Sequence, residues 1–189
     1  MPSGYYWGYG MLSPAIPSLH ERNSLTLKTR NMALFSAIVT TVMFTSQLIG
    51  FWVNSAIPLN TTIELNNLIH FTHIRNYGGI FGIAQGMGWV FGLISVSLLL
   101  AVIAYLWFGK EVKRYEYICF GFIVGGGGSN ILDRLVYGSV IDFINIQQIP
   151  YWNYIFNTAD LMVHVGIWPM LLLSFLAPPS VTHSENSSE

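Results

Sequence analysis

The chain has 189 residues, of which 52% are hydrophobic and only 9% are charged. Soluble domains carry about 25% charged residues, so this composition excludes an ordinary soluble domain and indicates a membrane protein with a single domain. The formal net charge of -1 gives no indication of nucleic-acid binding, and the single cysteine, Cys119, excludes an internal disulfide bond.

Four charge-free stretches are long enough, or nearly so, to cross a bilayer as helices. The first two, of 22 and 23 residues, meet the length of roughly 20 residues that a helix needs to span the hydrocarbon core. The last two, of 16 and 17 residues, are short, and we expect their outer ends to carry Asp133 and Asp160 into the interface. In chain order the stretches are residues 32–53, 86–108, 117–132 and 161–177.

The basic residues determine the predicted orientation. Six of the eight lie before the first stretch or between the second and the third. Loops rich in lysine and arginine stay on the cytoplasmic side, so both termini are expected in the cytoplasm and the three aspartates, Asp133, Asp142 and Asp160, face outward. The six residues are Arg22, Lys28, Arg30, Lys110, Lys113 and Arg114.

Residues 1–31 are predicted to form a cytoplasmic N-terminal extension. They lack the apolar core of a signal peptide and carry an aromatic cluster between Tyr5 and Tyr9. A loose tail and a segment that docks on a protein partner both fit this composition. Residues 178–189 are polar and are predicted to be a disordered cytoplasmic tail, which leaves residues 32–177 as the membrane domain.

The first outward-facing segment, residues 54–85, carries a weak strand signal. β-branched and aromatic residues recur at Ile69, Phe71 and Ile74, and a glycine pair at 78–79 indicates a turn or a close approach of the backbone. We therefore expect a small sheet on the membrane surface. The predicted fold class is an all-α integral membrane protein with four transmembrane helices and a small extracytoplasmic β element.

Four consecutive glycines at residues 125–128 lie inside the third stretch. They lack the Gly-Lys-Ser/Thr ending of a nucleotide-binding loop, and an apolar helix surrounds them. Small residues let transmembrane helices approach closely, so we expect tight helix packing at this run.

All the aspartates of the chain fall within residues 133–160. An ionised carboxylate near hydrocarbon is costly unless another group pairs with it or a function requires it. Two carboxylates that converge at a membrane surface are the smallest set of catalytic groups that an aspartic peptidase needs. The alternative is structural: the acids pair with Arg134 or with helix N-termini, and Asp160 begins a helix whose dipole stabilises an acid.

Four short motifs follow one another in the outward-facing parts of the chain. They read NYGGIFG at residues 76–82, GSNILDR at 128–134, VIDF at 140–143 and FNTAD at 156–160. In sequence and order they resemble the motifs of the lipoprotein signal peptidase family, also called signal peptidase II. The resemblance extends over residues 32–177, and four helices with both termini in the cytoplasm also fit that family.

The resemblance implies a role for each matched residue. Asp142 and Asp160 correspond to the catalytic pair of the family, in which two carboxylates share one proton because neighbouring like charges cannot both ionise. One carboxylate takes a proton from water while the other donates a proton to the peptide carbonyl. No metal ion or cofactor is implied. The residues expected to bind substrate or to order the site are Asn76, Gly78, Asn130, Asp133, Arg134 and Asn157.

The resemblance also implies a substrate and a location. A family member cuts the signal peptide from a diacylglyceryl-modified prolipoprotein, just before the lipidated cysteine. It works among membrane lipids at the outer face of a bacterial inner membrane. This chain is therefore expected to be an aspartic endopeptidase of that membrane, with its active site facing outward.

Two departures from the family pattern leave a second function open. The first helix of the family carries Asp-Gln-x-x-Lys, whereas here Ser46 and Gly50 flank the remaining Gln47, and Ser129 replaces a glycine. A catalytically inactive relative that serves as a structural subunit of a larger membrane complex is the alternative. The retained catalytic aspartates argue against it.

His164 is four residues after Asp160 and so lies on the same face of the predicted fourth helix. It could hydrogen-bond the carboxylate of Asp160 or change its protonation. The other interpretation, which we favour from sequence, is a neutral histidine packed inside the membrane.

Overall fold

The computed structural model describes residues 19–79 and 82–176, with side chains from Asn23 onward. The chain is mostly helical and carries a small antiparallel sheet, as the sequence predicts. In chain order its elements are α1 (Leu19–Ala56), β1 (Thr62–Glu64), β2 (Ile69–Asn76), α2 (Gly88–Phe108), α3 (Arg114–Tyr137), β3 (Val140–Ile146), β4 (Ile155–Phe156) and α4 (Thr158–Leu176).

Among the described residues, three helices are long and apolar enough to cross a membrane. They are Asn23–Ala56 in α1, Gly88–Phe108 in α2 and Thr158–Leu176 in α4. Helix α3 includes the predicted stretch 117–132, but its average hydropathy is reduced by glycines and by charged residues at both ends. A fourth span therefore stays a prediction.

Helix α1 begins much earlier than the sequence indicates. It starts at Leu19 rather than at residue 32, so the prediction of a loose tail is wrong for residues 19–31. The Lys28 ammonium donates hydrogen bonds to the carbonyl oxygens of Trp107, at 2.6 Å, and Gly109, at 3.3 Å. These bonds satisfy carbonyls at the C-terminal end of α2 and help to hold this part of α1 in place. The aromatic cluster between Tyr5 and Tyr9 and the predicted tail at 178–189 lie outside the described residues.

Helix α3 packs against each of the other three helices. Its glycines make this possible. A Cβ atom added at Gly125 would lie 2.7 Å from Cβ of Val42 in α1, and one added at Gly126 would lie 2.3 Å from the carbonyl oxygen of Ala159 in α4. Both distances are too short for a real Cβ atom. The predicted tight packing at the glycine run is therefore confirmed.

Replacing Gly126 with alanine is expected to destabilise the protein by about 1–3 kcal/mol, the usual cost of overpacking. The added Cβ would collide with backbone rather than with a flexible side chain, so the start of α4 must move. Asp160 would move with it, and turnover should fall as well. Gly127→Ala is the matched control, because its Cβ would meet only the end of the Leu99 side chain, at 3.2 Å. Equal melting temperatures for the two variants would contradict this account.

The four strands form one sheet in the order β1-β2-β3-β4, and every neighbouring pair is antiparallel. Strand β2 covers the predicted strand residues. Its pairing with β3 is irregular between Phe71 and Ile74, and beyond the irregularity Ile74 lies opposite Asp142. The sheet packs on the C-terminal end of α1 through a buried cluster formed by Val53, Ile57, Ile141 and Phe143. The sheet is thus fixed to the helices beside the predicted site.

Candidate active site

Asp142 lies on β3 and is 2% exposed, so its carboxylate depends on protein partners rather than on water. It has two such partners. The side-chain amide of Asn76 donates to one carboxylate oxygen at 3.0 Å, and the amide of Asn157 donates to the other at 2.8 Å. Asn76 ends β2 and Asn157 precedes α4, so residues distant in sequence hold this acid in place.

Asp160 is held by a reciprocal cap at the start of α4. The backbone N–H of Asp160 donates to Oδ1 of Asn157 at 2.9 Å, and the backbone N–H of Asn157 donates to Oδ2 of Asp160 at 3.2 Å. This is the geometry of a capping box, which satisfies two backbone donors that a helix start leaves free. The FNTAD sequence therefore fixes the Asp160 carboxylate and starts the helix with the same pair of side chains.

Two asparagine side chains connect the carboxylates. The amide of Asn130 in α3 donates to Oδ1 of Asp160 at 2.7 Å, and its own oxygen accepts a bond from Asn157 at 3.1 Å. Since Asn157 also donates to Asp142, a continuous path runs from Asp160 through both amides to Asp142. The structure thus brings together the two aspartates that the sequence predicts as a pair.

Asp133 lies outside this path. Its carboxylate is buried and accepts hydrogen bonds from the backbone N–H of Ile141, at 3.1 Å, and from the side chain of Gln47, at 2.8 Å. It thereby joins α3 to β3 and to α1. Asp133 positions the strand that carries Asp142, and it makes no hydrogen bond with either member of the pair.

The two altered positions of the first helix lie next to Asp133. Ser46 and Gly50 line a small cavity together with Asp133, Asn130 and Asn157. A Cβ atom added at Gly50 would meet a single neighbour, at 4.0 Å. A single added Cβ atom therefore fits at Gly50, and Gln47 supplies the hydrogen bond from α1 to Asp133.

Arg134 joins α3 to the glycine turn after β2. Its guanidinium donates to the carbonyl oxygen of Gly78 at 2.9 Å and to that of Asn130 at 3.1 Å. A Cβ added at Gly78 would lie 2.3 Å from the carbonyl oxygen of Ile83, so only glycine fits there. The turn and Arg134 together fix the neighbourhood of Asn76.

Sequence reasoning missed Gln85. Its side-chain amide donates to Oδ1 of Asn76 at 3.2 Å, and its oxygen accepts the backbone N–H of Tyr77 at 3.0 Å. It thereby orients the amide that Asn76 presents to Asp142. The only sequence signal is an uncharged amide shortly after a glycine motif, which is too common to single out a residue.

Burial, and secondly the negative charge of Asp160, raise the pKa of the Asp142 carboxyl from its ordinary 3.8 to about 7. Hydrogen bonds from Asn76 and Asn157 and the positive charge of Arg134 oppose this rise without cancelling it. A carboxyl with such a pKa retains a proton near neutral pH while a neighbouring acid is ionised. The arrangement can therefore hold one proton on two carboxyls.

A cavity of about 480 Å³ is lined in part by Asp142. Its wall includes Asn60, Asn76, Gln85, Asn153 and Tyr154, so it offers amides and a phenol beside the buried acid. Such groups bind peptide backbone through hydrogen bonds. The cavity is large enough for a short peptide segment and gives access to Asp142 from the side of the sheet.

Residues 38–176 match the family model described as signal peptidase (SPase) II. A lipoprotein signal peptidase from Nostoc sp. is 35% identical over 153 residues, which is 79% of this chain and 94% of that protein. The enzyme of the same name from Caulobacter vibrioides is 31% identical, covering 79% of this chain and 90% of that protein. A third, from Clostridioides difficile, is 32% identical over 135 residues.

Two solved structures share the fold. One is a bacterial membrane enzyme solved by the in meso method at 2.3 Å resolution, with a TM-score of 0.68 and 21% identity, covering 83% of this chain and 94% of that one. The other, at 1.9 Å resolution, has a TM-score of 0.66 and 22% identity over 78% and 95% of the two chains. Since the family model matches most of the chain and relatives above 30% identity match over nearly their whole length, this chain belongs to the signal peptidase II family.

Proposed function

We propose that this protein is a membrane aspartic endopeptidase that cuts the signal peptide from diacylglyceryl-modified prolipoproteins. The observation that carries the proposal is the path of hydrogen bonds that links Asp142 and Asp160 through Asn130 and Asn157. The names of the relatives support the substrate class. The linked carboxylates are retained together with the residues that position them, which argues against the inactive-subunit alternative.

In the proposed mechanism, Asp142 and Asp160 share one proton. The ionised carboxylate takes a proton from a water molecule, which attacks the carbonyl carbon of the scissile peptide bond. The protonated carboxyl donates its proton to the carbonyl oxygen, and the leaving amine recovers a proton as the tetrahedral intermediate collapses. No metal ion or cofactor is required for these proton transfers.

The asparagines hold the pair before substrate arrives. Asn76, Asn130 and Asn157 all donate N–H groups to the carboxylates, so the acids cannot rotate away from each other. Preorganised geometry of this kind lowers the barrier, because the reacting groups need not be ordered during the reaction. Asp133 and Arg134 act indirectly. Asp133 fixes β3, and Arg134 fixes the turn at Gly78.

The proposal includes a location and a topology. Helix α3 is taken as the fourth membrane span, because α1, α2 and α4 all pack around it. Both termini then lie in the cytoplasm, where the basic residues before α1 and between α2 and α3 are favoured. The sheet and the aspartate pair lie at the outer face of a bacterial inner membrane, where exported prolipoproteins arrive.

Complementation in cells tests this function. A bacterium depleted of its own lipoprotein signal peptidase accumulates uncut prolipoprotein, and expression of this chain is expected to restore the mature form on a gel. The Asp160→Asn variant, expressed to the same level in the membrane, is the control and should leave the precursor uncut. Accumulation of precursor with the unaltered chain as well would favour the inactive-subunit alternative.

The raised pKa of Asp142 predicts how turnover varies with pH. The pair works with one proton and loses that proton as the pH rises through about 7. We therefore expect kcat/KM to fall about tenfold per pH unit above that value. A lipidated peptide assayed between pH 5 and pH 9 provides the measurement, and a profile that stays flat up to pH 9 would contradict the shared proton.

The same pKa predicts a pH dependence of stability. Folding raises the pKa of Asp142, so the folded state binds the proton more tightly than the unfolded state does. Its stabilising contribution is complete below the ordinary value of 3.8 and is lost as the pH rises towards about 7. The Tm of the unaltered protein should fall over this range more steeply than that of Asp142→Asn, which cannot titrate there.

A further inference from the structure

His164 is exposed on α4, contrary to the prediction of a histidine packed inside the membrane. Among the residues that the structure describes, neither ring nitrogen has a hydrogen-bond partner. The helix around it is apolar and is one of the candidate membrane spans. A polar side chain at the surface of such a helix is costly unless a ligand uses it.

The imidazole ring has a fixed orientation. It stacks on the indole of Trp168, with ring centroids 6.3 Å apart and an interplanar angle of 19°. Trp168 itself is 63% exposed, so the pair forms a flat platform on the outside of α4. Because the ring nitrogens lie in the plane of the imidazole, its N–H points along the platform.

The platform continues the active site towards the membrane interior. His164 is four residues after Asp160, on the same flank of α4, which corresponds to about 6 Å along the helix axis. Asp160 accepts a hydrogen bond from Asn130, and its charge acts on the nearby guanidinium of Arg134. These two residues of α3 show which flank of α4 carries the acid.

The flank of α4 that carries His164 is exposed. Arg134 lies on the side of α3 that packs on α2, with its Cδ atom 3.6 Å from the Cβ position of Gly92. Helices α2 and α4 both pack on α3 but make little contact with each other. The α4 residues that meet the glycines of α3 are Ala159 and Val163, so His164 lies on the exposed surface of α4 turned away from α3, beside Asp160.

The ligand expected at this surface follows from the proposed function, on which this step rests. The scissile bond precedes the modified cysteine, so the cysteine lies beside Asp160 during cleavage. Its diacylglyceryl group must then extend from the outer edge into the bilayer, along the flank that carries His164. Of the groups in that lipid, the ester carbonyl oxygens are the strongest hydrogen-bond acceptors.

We propose that His164 is a substrate-binding residue whose ring N–H donates a hydrogen bond to an ester carbonyl oxygen of the diacylglyceryl group. Trp168 holds the imidazole in place and packs against the lipid chain next to the ester. The hydrogen bond removes the cost of an unpaired polar group at the helix surface, and it does so only when an ester-linked substrate is bound.

Two substrates distinguish a hydrogen bond between His164 and the ester carbonyl oxygen from other roles of this residue. One is a peptide whose cysteine carries an ester-linked diacylglyceryl group, and the other carries the ether-linked analogue, which lacks the carbonyl oxygens. One hydrogen bond between neutral groups changes affinity by about tenfold, so the unaltered protein should have a KM about tenfold lower for the ester. In His164→Phe, which keeps a flat ring but has no N–H, the two KM values should be equal.

The matched control is Val165→Phe, which places an aromatic ring on another exposed flank of α4. It should keep the ester preference. If His164→Phe keeps the preference too, or raises KM equally for both substrates, the proposed hydrogen bond is wrong. A shift in the pH profile of kcat with the preference intact would also overturn it, because His164 would then act on the charge of Asp160.

Binding measurements keep this proposal separate from the proposed function. In the Asp142→Asn background, where no cleavage is expected, the Kd values for the ester and ether peptides should show the same preference, and His164→Phe should abolish it. If the unaltered protein cleaves neither peptide, the proposed function fails, and the two Kd values still decide the role of His164. Equal Kd values with His164 present would overturn that role.

Discussion

Asp142→Asn and Asp160→Asn are each expected to lower turnover by about 10⁴-fold or more, because general acid–base catalysis by the pair needs a proton that an amide cannot exchange. The side chains keep their size, and at either position the amide oxygen still accepts one of the existing hydrogen bonds. The measurement is cleavage of a lipidated peptide by purified protein, followed by mass spectrometry.

The double variant adds a second criterion. Since the two acids act as one unit, removing both should cost little more than removing one. Additive losses would indicate two separate roles. Thermal melting provides the control for folding, and we expect a modest loss for Asp142→Asn, because both oxygens of Asp142 accept amide N–H groups and an asparagine offers only one oxygen.

Asn157→Ala should have the second largest effect. This residue caps α4, donates to Asp142 and donates to Asn130, so alanine removes the cap and breaks the path between the carboxylates. Loss of a helix cap costs about 1 kcal/mol, and loss of the positioning bonds should lower kcat by about 10²-fold, the usual result of a small displacement of reacting groups. Melting and kcat are measured on the same preparation.

Two variants separate the roles of Asn157. Asn157→Ser restores an oxygen for the cap but lacks the amide N–H groups, so it should recover stability without recovering turnover. Asn145→Ala removes an asparagine of β3, which donates to Thr72 at 3.0 Å, and should leave turnover nearly unchanged. Full activity in Asn157→Ser would contradict the proposed path of hydrogen bonds.

Local sequence patterns predict much of the framework. The charge-free stretches locate the cores of α1, α2 and α4, and the alternation around Phe71 locates β2. The glycine run predicts close packing, which Gly126 makes against α4. Each of these features depends on residues close together in the chain, which explains why the sequence alone is sufficient.

Contacts between distant residues could not be predicted in the same way. The motifs single out Asn130 and Asn157, but that each one bonds the other and a different carboxylate follows only from the packing of α3 on α4. Gln85 has no motif of its own. The early start of α1 depends on Lys28 reaching the end of α2, a contact across 79 positions of sequence.

The side of a helix that a residue faces is equally hard to predict in a membrane. In water, apolar residues mark the buried face of a helix, but in a bilayer the outer face is apolar too. His164 therefore gives the same sequence signal whether it packs inside or faces outward. Only the structure shows that its side chain is exposed.

The decisive assay uses purified protein, a peptide with a diacylglyceryl-modified cysteine and the same peptide without the lipid. We expect the unaltered chain to cut only the lipidated peptide and to release a fragment whose N-terminus is the modified cysteine, and we expect the Asp142→Asn, Asp160→Asn double variant to lack this activity. Cleavage at that bond by the double variant, or no cleavage of the lipidated peptide by the unaltered chain, would contradict the proposed function.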